Sequence, residues 1–207
     1  MATVDQLDTP AVTIDLARVE ANIKRAQAFT DAARVANRPH IKTHKIPAIA
    51  RLQMAAGAVG ITCQKLDEVD VFTRENVADD VLVTFNIVGE KKTDRLLELS
   101  SRLRRLAVVA DNETVLRGLS AAGIRHSRDV PVLVECDVGF GRNGVQSPAA
   151  ALALARLALS LPRLRFEGLM AYPSKAPNTN DFMGLAVDLF RAAKIELPVI
   201  SSGGTPA

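Results

Sequence analysis

The chain has 207 residues, 48% of them apolar, and 26 Lys and Arg against 23 Asp and Glu give a formal net charge of +3. That is long enough for one large domain with a full core, at the composition of an ordinary soluble globular protein. The basic residues are spread along the chain with one dense block at residues 102–105, and a single Tyr with no Trp offers no stacking platform, so a nucleic-acid partner or a nonspecific basic module is disfavoured.

The first ten residues contain no apolar leader core, and no apolar run approaches the length of a membrane span. The expectation is a cytoplasmic protein without a membrane partner. Cys63 and Cys136 sit inside apolar runs without CxxC spacing, which predicts buried free thiols and no metal site.

In chain order, Thr9-Pro10 starts an extended piece over residues 11–15. Asp15 then reads as the N-cap of a helix whose apolar positions, Leu16, Val19, Ile23, Ala26 and Phe29, keep helical spacing. Next comes a polar octet, residues 38–45, holding two of the three histidines, His40 and His44, and two lysines, Lys42 and Lys45. A short strand and a turn fit there. Pro47 then suits the first turn of a helix running to Gly57.

From that point strands and helices alternate. Strands are expected at residues 60–63, 80–85, 106–110, 130–136, 166–171 and 197–200, with helices over 66–75, 91–103, 113–122, 148–161 and 182–193. The block at 102–105 reads as a solvated helix end and His126 as an exposed side chain. The strands are short, aliphatic and continuous, as in a parallel sheet covered on both faces. An open doubly wound sheet and a β/α barrel both fit. The absence of Gly-x-Gly-x-x-Gly after the first strand weighs against the nucleotide-binding open sheet. The polar residues that follow strands would share one rim of a barrel, where barrel active sites are built. Counting from Ile41 gives about seven of the eight β/α steps that close a barrel, so the chain reads as incomplete at its C-terminal end.

Three stretches carry candidate chemistry. Lys42, at the tip of the first short strand, could be a desolvated nucleophilic amine holding pyridoxal phosphate as a Schiff base; the alternative is a basic surface turn. Ser202, Gly203, Gly204 and Thr205 follow the last strand, where paired glycines can turn backbone N–H groups toward a phosphate; the alternative is a simple strand-to-helix turn. Arg142 lies among Gly139, Gly141 and Gly144 as a fixed cation near a ligand or as a solvated side chain. Tyr172, the only tyrosine, follows a strand and could stack on a ring or donate a hydrogen bond, or simply pack there.

The motif around Lys42, then Gly141-Arg142-Asn143-Gly144-Val145, then Ser201 to Pro206 come in an order and at distances that resemble the D-threonine aldolase / eukaryotic-type D-serine dehydratase family. The stretch from Thr9 to Leu16 resembles that family's start. The resemblance implies an α/β fold: a β/α barrel of the alanine racemase N-terminal type, here with about seven of eight strands. Residues 1–36 would be an N-terminal strand of a second β domain with its linking helix, and residues 37–207 a partial barrel, the C-terminal β domain being absent. It implies pyridoxal 5'-phosphate held covalently by Lys42, with His40, Arg142, Tyr172, Ser202, Gly203, Gly204 and Thr205 around it. Ser202 stands where the family's phosphate loop usually has a third glycine.

The implied function is a pyridoxal-phosphate-dependent lyase on D-3-hydroxy amino acids, cleaving them to glycine and an aldehyde. D-Serine dehydration, racemisation on the same barrel, and a non-catalytic pyridoxal phosphate carrier are the alternatives. A phosphate-binding barrel enzyme without pyridoxal is a further one. Full-length members are expected to be homodimers using Mn, Mg or Zn, but no metal ligand is assignable in this chain.

Overall fold

A computed structural model describes residues 3–175 and 177–204. Six parallel strands, β1 (Ile61–Cys63), β2 (Asp80–Val83), β3 (Arg105–Ala110), β4 (Val130–Cys136), β5 (Leu164–Ala171) and β6 (Val199–Ser202), pair strictly in chain order. Helices α1 (Leu16–Ala32) and α2 (Pro47–Ala55) precede β1. Then α3 (Leu66–Arg74), α4 (Glu90–Ser100), α5 (Glu113–Arg125), α6 (Pro148–Ser160) and α7 (Asn178–Ala192) each follow one strand. No helix among the described residues is long and apolar enough to cross a membrane.

Local sequence sets the helix starts. Asp15, Asn112 and Ser147 each accept a backbone N–H three residues on, and Pro47 and Pro148 open their helices. Each such cap contributes about 1 kcal/mol.

The strand alternation then separates two layers. Val81, Val83, Val108, Val132 and Val134 face outward and pack with Val69, Leu96, Leu116 and Ala155 of the helices. Leu82, Ala107, Val109, Leu133 and Met170 form a second, smaller apolar cluster on the inner face. The result is a curled, incomplete α/β barrel with its helices outside. Cys63 and Cys136 are free and buried, as expected.

At Gly168 the β4–β5 register slips, so that Val132 faces Phe166 while Leu133 faces Gly168. A Cβ at Gly168 would overlap the Val199 carbonyl, and its φ of 132° is one that side chains avoid. The slip leaves Glu167 unpaired in the ladder.

Two expectations need correction. The strand expected at Ile41 is a single bridging residue: His40 pairs with Thr62, and the Pro39 carbonyl accepts the Thr62 N–H at 2.8 Å. Residues Ile41–Thr43 form a 3-10 turn, because the His40 ring accepts the Lys42 N–H and Ile41 O accepts the His44 N–H at 3.2 Å, with the Lys45 N–H on the same oxygen at 2.8 Å. The basic block is not simply a solvated helix end. Arg105 opens β3, and its half-buried guanidinium lies between Glu167 and Asp80, the latter at 2.8 Å and shared with Arg38. His126 is exposed, as expected, and its Nε2 lies 3.1 Å from Asp94 Oδ1. Residues 11–15 carry no strand pairing in the structure.

Candidate active site

The C-terminal ends of the strands gather the polar residues. Lys42 projects from the turn after His40, and its Nζ lies 4.6 Å from the centre of the Tyr172 ring at the end of β5. Arg142, on the loop after β4, places its guanidinium carbon 5.5 Å from the same ring and 5.5 Å from the Phe140 ring. Three residues read separately from the sequence are therefore neighbours, with two cations close to one aromatic ring.

Lys42 and Lys45 are distinguished by their partners. Lys45 Nζ is 2.9 Å from Glu68 Oε1, whereas Lys42 has no ion-pair partner among the described residues. Glu68 also accepts the Gln64 N–H at 2.7 Å and the Lys65 N–H at 3.3 Å. Burial opposes its ionisation, but Lys45 and these N–H donors outweigh that and hold the carboxyl below its usual range.

His40 supports the other side of the turn. Its Nδ1 accepts the Lys42 N–H at 3.3 Å, and its Nε2 lies 3.3 Å from Thr84 Oγ1. Burial, then the Lys42 charge, push its pKa down to about 4. The ring is neutral at neutral pH and free to accept through Nδ1.

The Arg142 loop is built around one carboxylate. Asp137 Oδ1 accepts N–H groups from Gly139, Phe140 and Gly141 at 2.8–3.1 Å, and Oδ2 accepts from Gly141 and from the Gln146 amide. Burial opposes the charge, and these donors more than offset it, so the carboxyl lies below its ordinary range. Gly144 closes the loop with φ of 108° and its N–H on Asp111 Oδ2 at 3.1 Å; a Cβ there would strike the Cys136–Asp137 backbone.

Two residues past Tyr172, Ser174 joins the turns after β5 and β6. Gly203 N–H donates to Ser174 Oγ at 3.0 Å, and Ser174 N–H donates to Gly203 O at 2.9 Å. Gly204 sits against Pro173, and Ser202 pairs with Ala171 in the ladder. The glycine turn is thus two residues from Tyr172 through Ser174. Thr205 lies outside the described residues.

Sequence reasoning missed Glu68, Asp111, Ser174 and Glu135. Glu135 is the one charged residue in the apolar run of β4, which is the signal that marks it. The residue is 1% exposed, and its Oε2 has no hydrogen-bond partner among the described residues.

The donor set suits an aldehyde cofactor that carries an aromatic ring and a phosphate. It offers an amine without a counter-ion, an aromatic face, a cation and an exposed glycine turn on one rim.

The family profile described as "Alanine racemase, N-terminal domain" matches residues 14–207. The chain is 42% identical over 167 residues to a D-threonine aldolase of Arthrobacter sp, covering 81% of this chain and 44% of that one. It is 31% identical over 218 residues to a D-threo-3-hydroxyaspartate dehydratase of Delftia sp. (strain HT23), covering 99% and 57%. The crystal structure of a D-threonine aldolase from Filomicrobium marinum superposes with a TM-score of 0.92 at 31% identity, covering 98% of this chain and 58% of that one. The chain therefore belongs to the alanine racemase N-terminal domain family. Within that family it is similar to D-threonine aldolases and related hydroxy-amino-acid enzymes, and it spans about half the length of the curated relatives it matches.

Proposed function

We propose that the chain forms the cofactor-binding part of a pyridoxal-phosphate-dependent lyase acting on D-3-hydroxy amino acids, cleaving them to glycine and an aldehyde. The observation that carries this reading is the free Lys42 amine 4.6 Å from the Tyr172 ring, beside Arg142 and joined through Ser174 to the Gly203 turn. The similarity to D-threonine aldolases supports it.

In this reading Lys42 would anchor the cofactor, Tyr172 and Arg142 would hold its ring, and Ser202, Gly203, Gly204 and Thr205, helped by Ser174, would bind its phosphate. When bound, pyridoxal phosphate supplies an electron sink for the bond broken at the substrate α-carbon. The protein's own contribution is positioning. His40, neutral and fixed on Thr84, takes the Lys42 N–H and sets the start of the turn. Glu68 holds its other end through Lys45. Asp137 fixes the loop that presents Arg142, so the cation stands in place before a ligand arrives.

Among the described residues no group of three His, Cys, Asp or Glu could hold a metal ion, and no step here runs through one. The homodimer implied by the resemblance belongs to the same proposal.

Dehydration is the second reading, favoured by the dehydratase relative aligned along 99% of the chain. Incubating the protein that carries this segment with D-threonine, pyridoxal phosphate and a divalent metal separates the two. Glycine with acetaldehyde is the expected product. Ammonia with a 2-oxo acid would replace it by dehydration, and neither product would overturn the lyase reading.

A further inference from the structure

At the opposite ends of the strands from Lys42 and Tyr172, the inside of the curled sheet holds a cavity of about 430 Å³. Three guanidiniums, of Arg38, Arg105 and Arg165, and two carboxylates, of Asp80 and Glu167, line it. Arg105 bridges the acids, donating through Nη1 to Asp80 Oδ1 at 2.8 Å and through its other nitrogens to Glu167 Oε2. Arg38 donates through Nη1 alone, to Asp80 Oδ1 at 2.8 Å and to the Asp80 carbonyl at 3.2 Å. Gly60 makes room for it, since a Cβ there would strike both the guanidinium and that carbonyl. Arg165 meets Glu167 Oε1 with Nε at 3.0 Å and Nη2 at 2.7 Å, and Arg104 reaches Asp80 Oδ2 from the exposed side at 3.3 Å. All four carboxylate oxygens therefore have guanidinium donors. Arg38 Nε and Nη2 and Arg165 Nη1 have no acceptor among the described residues. The lining is one carboxylate short of its arginines.

We propose that this cavity binds a small aliphatic carboxylic acid in its ionised form, the head on the free N–H groups of Arg38 and Arg165 and the tail against Leu82, Leu133 and Val199. The Nε and Nη2 groups that Arg38 leaves free form one edge of the guanidinium, the edge that takes a carboxylate through two parallel hydrogen bonds. Its opposite side is fixed on Asp80, so the donor stands in place before a ligand arrives. The remaining wall is apolar: Leu82 and Leu133 come from the buried inner cluster, and Pro198 and Val199 close the side at β6. A bare inorganic anion would leave that wall and most of the volume unused, whereas a short hydrocarbon tail covers it. The site uses none of the residues assigned to the cofactor and stands or falls without it.

The probe is hexanoate, with hexanol as its uncharged counterpart and sulfate as its tailless one, each titrated into the protein by NMR at about pH 7, where a carboxylate is ionised. Hexanoate should move the amide signals of Leu82, Leu133 and Val199, and should bind about tenfold or more tightly than hexanol, the difference that charge-assisted hydrogen bonds make. Sulfate should bind more weakly than hexanoate at these signals. In Arg38→Met the preference for hexanoate over hexanol should be lost. Arg165→Gln leaves every partner of Asp80 in place and should weaken hexanoate without changing hexanol, a check independent of how well the Arg38 variant folds. Five results would each overturn the site. They are no hexanoate binding, equal affinity for hexanol, sulfate binding as tight as hexanoate, hexanoate affinity unchanged in either variant, and shifts confined to Gly141 and Gly144 beside Arg142.

Discussion

Lys42 and Lys45 sit in one turn and do opposite things. Lys45 is tied to Glu68 at 2.9 Å, its own side chain 56% exposed and the carboxylate 8%. Lys42 is free and lies against Tyr172. A half-exposed pair of this kind contributes modestly, so Lys45→Met should lower stability by about 0.5–1 kcal/mol in urea denaturation. An unchanged midpoint would show that the pair contributes nothing. Two buried acids carry opposite pH signatures. Glu68, held below the usual range, adds stability above that range and loses it as pH falls through its folded value. Glu135, raised to about 7, adds stability below the ordinary glutamate range and loses it as pH rises through about 7. Glu135→Gln should therefore gain about 2 kcal/mol on the wild type between about pH 5 and about pH 8, read from denaturation curves at both ends. A constant difference across that range would contradict the assignment.

At the scale of elements, the aliphatic runs and helix caps made most of the fold legible. The helix starts at Asp15, Pro47, Glu113 and Pro148 and the run of β4 stand where the pattern puts them. What escaped was decided by tertiary partners. The strand at Ile41 became a turn because His40 caps it and Thr62 bonds to Pro39 across the gap. Arg105 left the helix end for the sheet because Asp80 on the adjacent β2 and Glu167 on β5, two strands away, await it, both far away in sequence. The register slips at Gly168, just after Glu167, and no local pattern announces that slip. Gly168→Ala would press a Cβ onto the Val199 backbone at a φ of 132°, with no flexible side chain to yield. It should cost more than about 3 kcal/mol, seen as a large fall in melting temperature. A melt within a few degrees of the wild type would show that β6 can move aside.

Across the whole molecule, the curled sheet converts chain order into a rim. Lys42, Arg142 and Tyr172 are widely separated in sequence and meet because Arg142 and Tyr172 follow parallel strands that end on the same side and Lys42 follows the His40 bridge to β1. That meeting was legible from the alternation of elements and from the resemblance of the motifs. The supporting groups were not, because single acids such as Glu68 and Glu135 look like any other polar residue until the fold buries them. The central claim is that the free amine on this rim is the cofactor's anchor. Its most direct test is borohydride reduction of the protein with pyridoxal phosphate, followed by peptide mass mapping of the wild type and of Lys42→Ala. The cofactor should be found on Lys42 in the wild type and on no residue of the rim in the variant. Equal labelling of the variant, or a label on Lys45 in place of Lys42, would contradict the account.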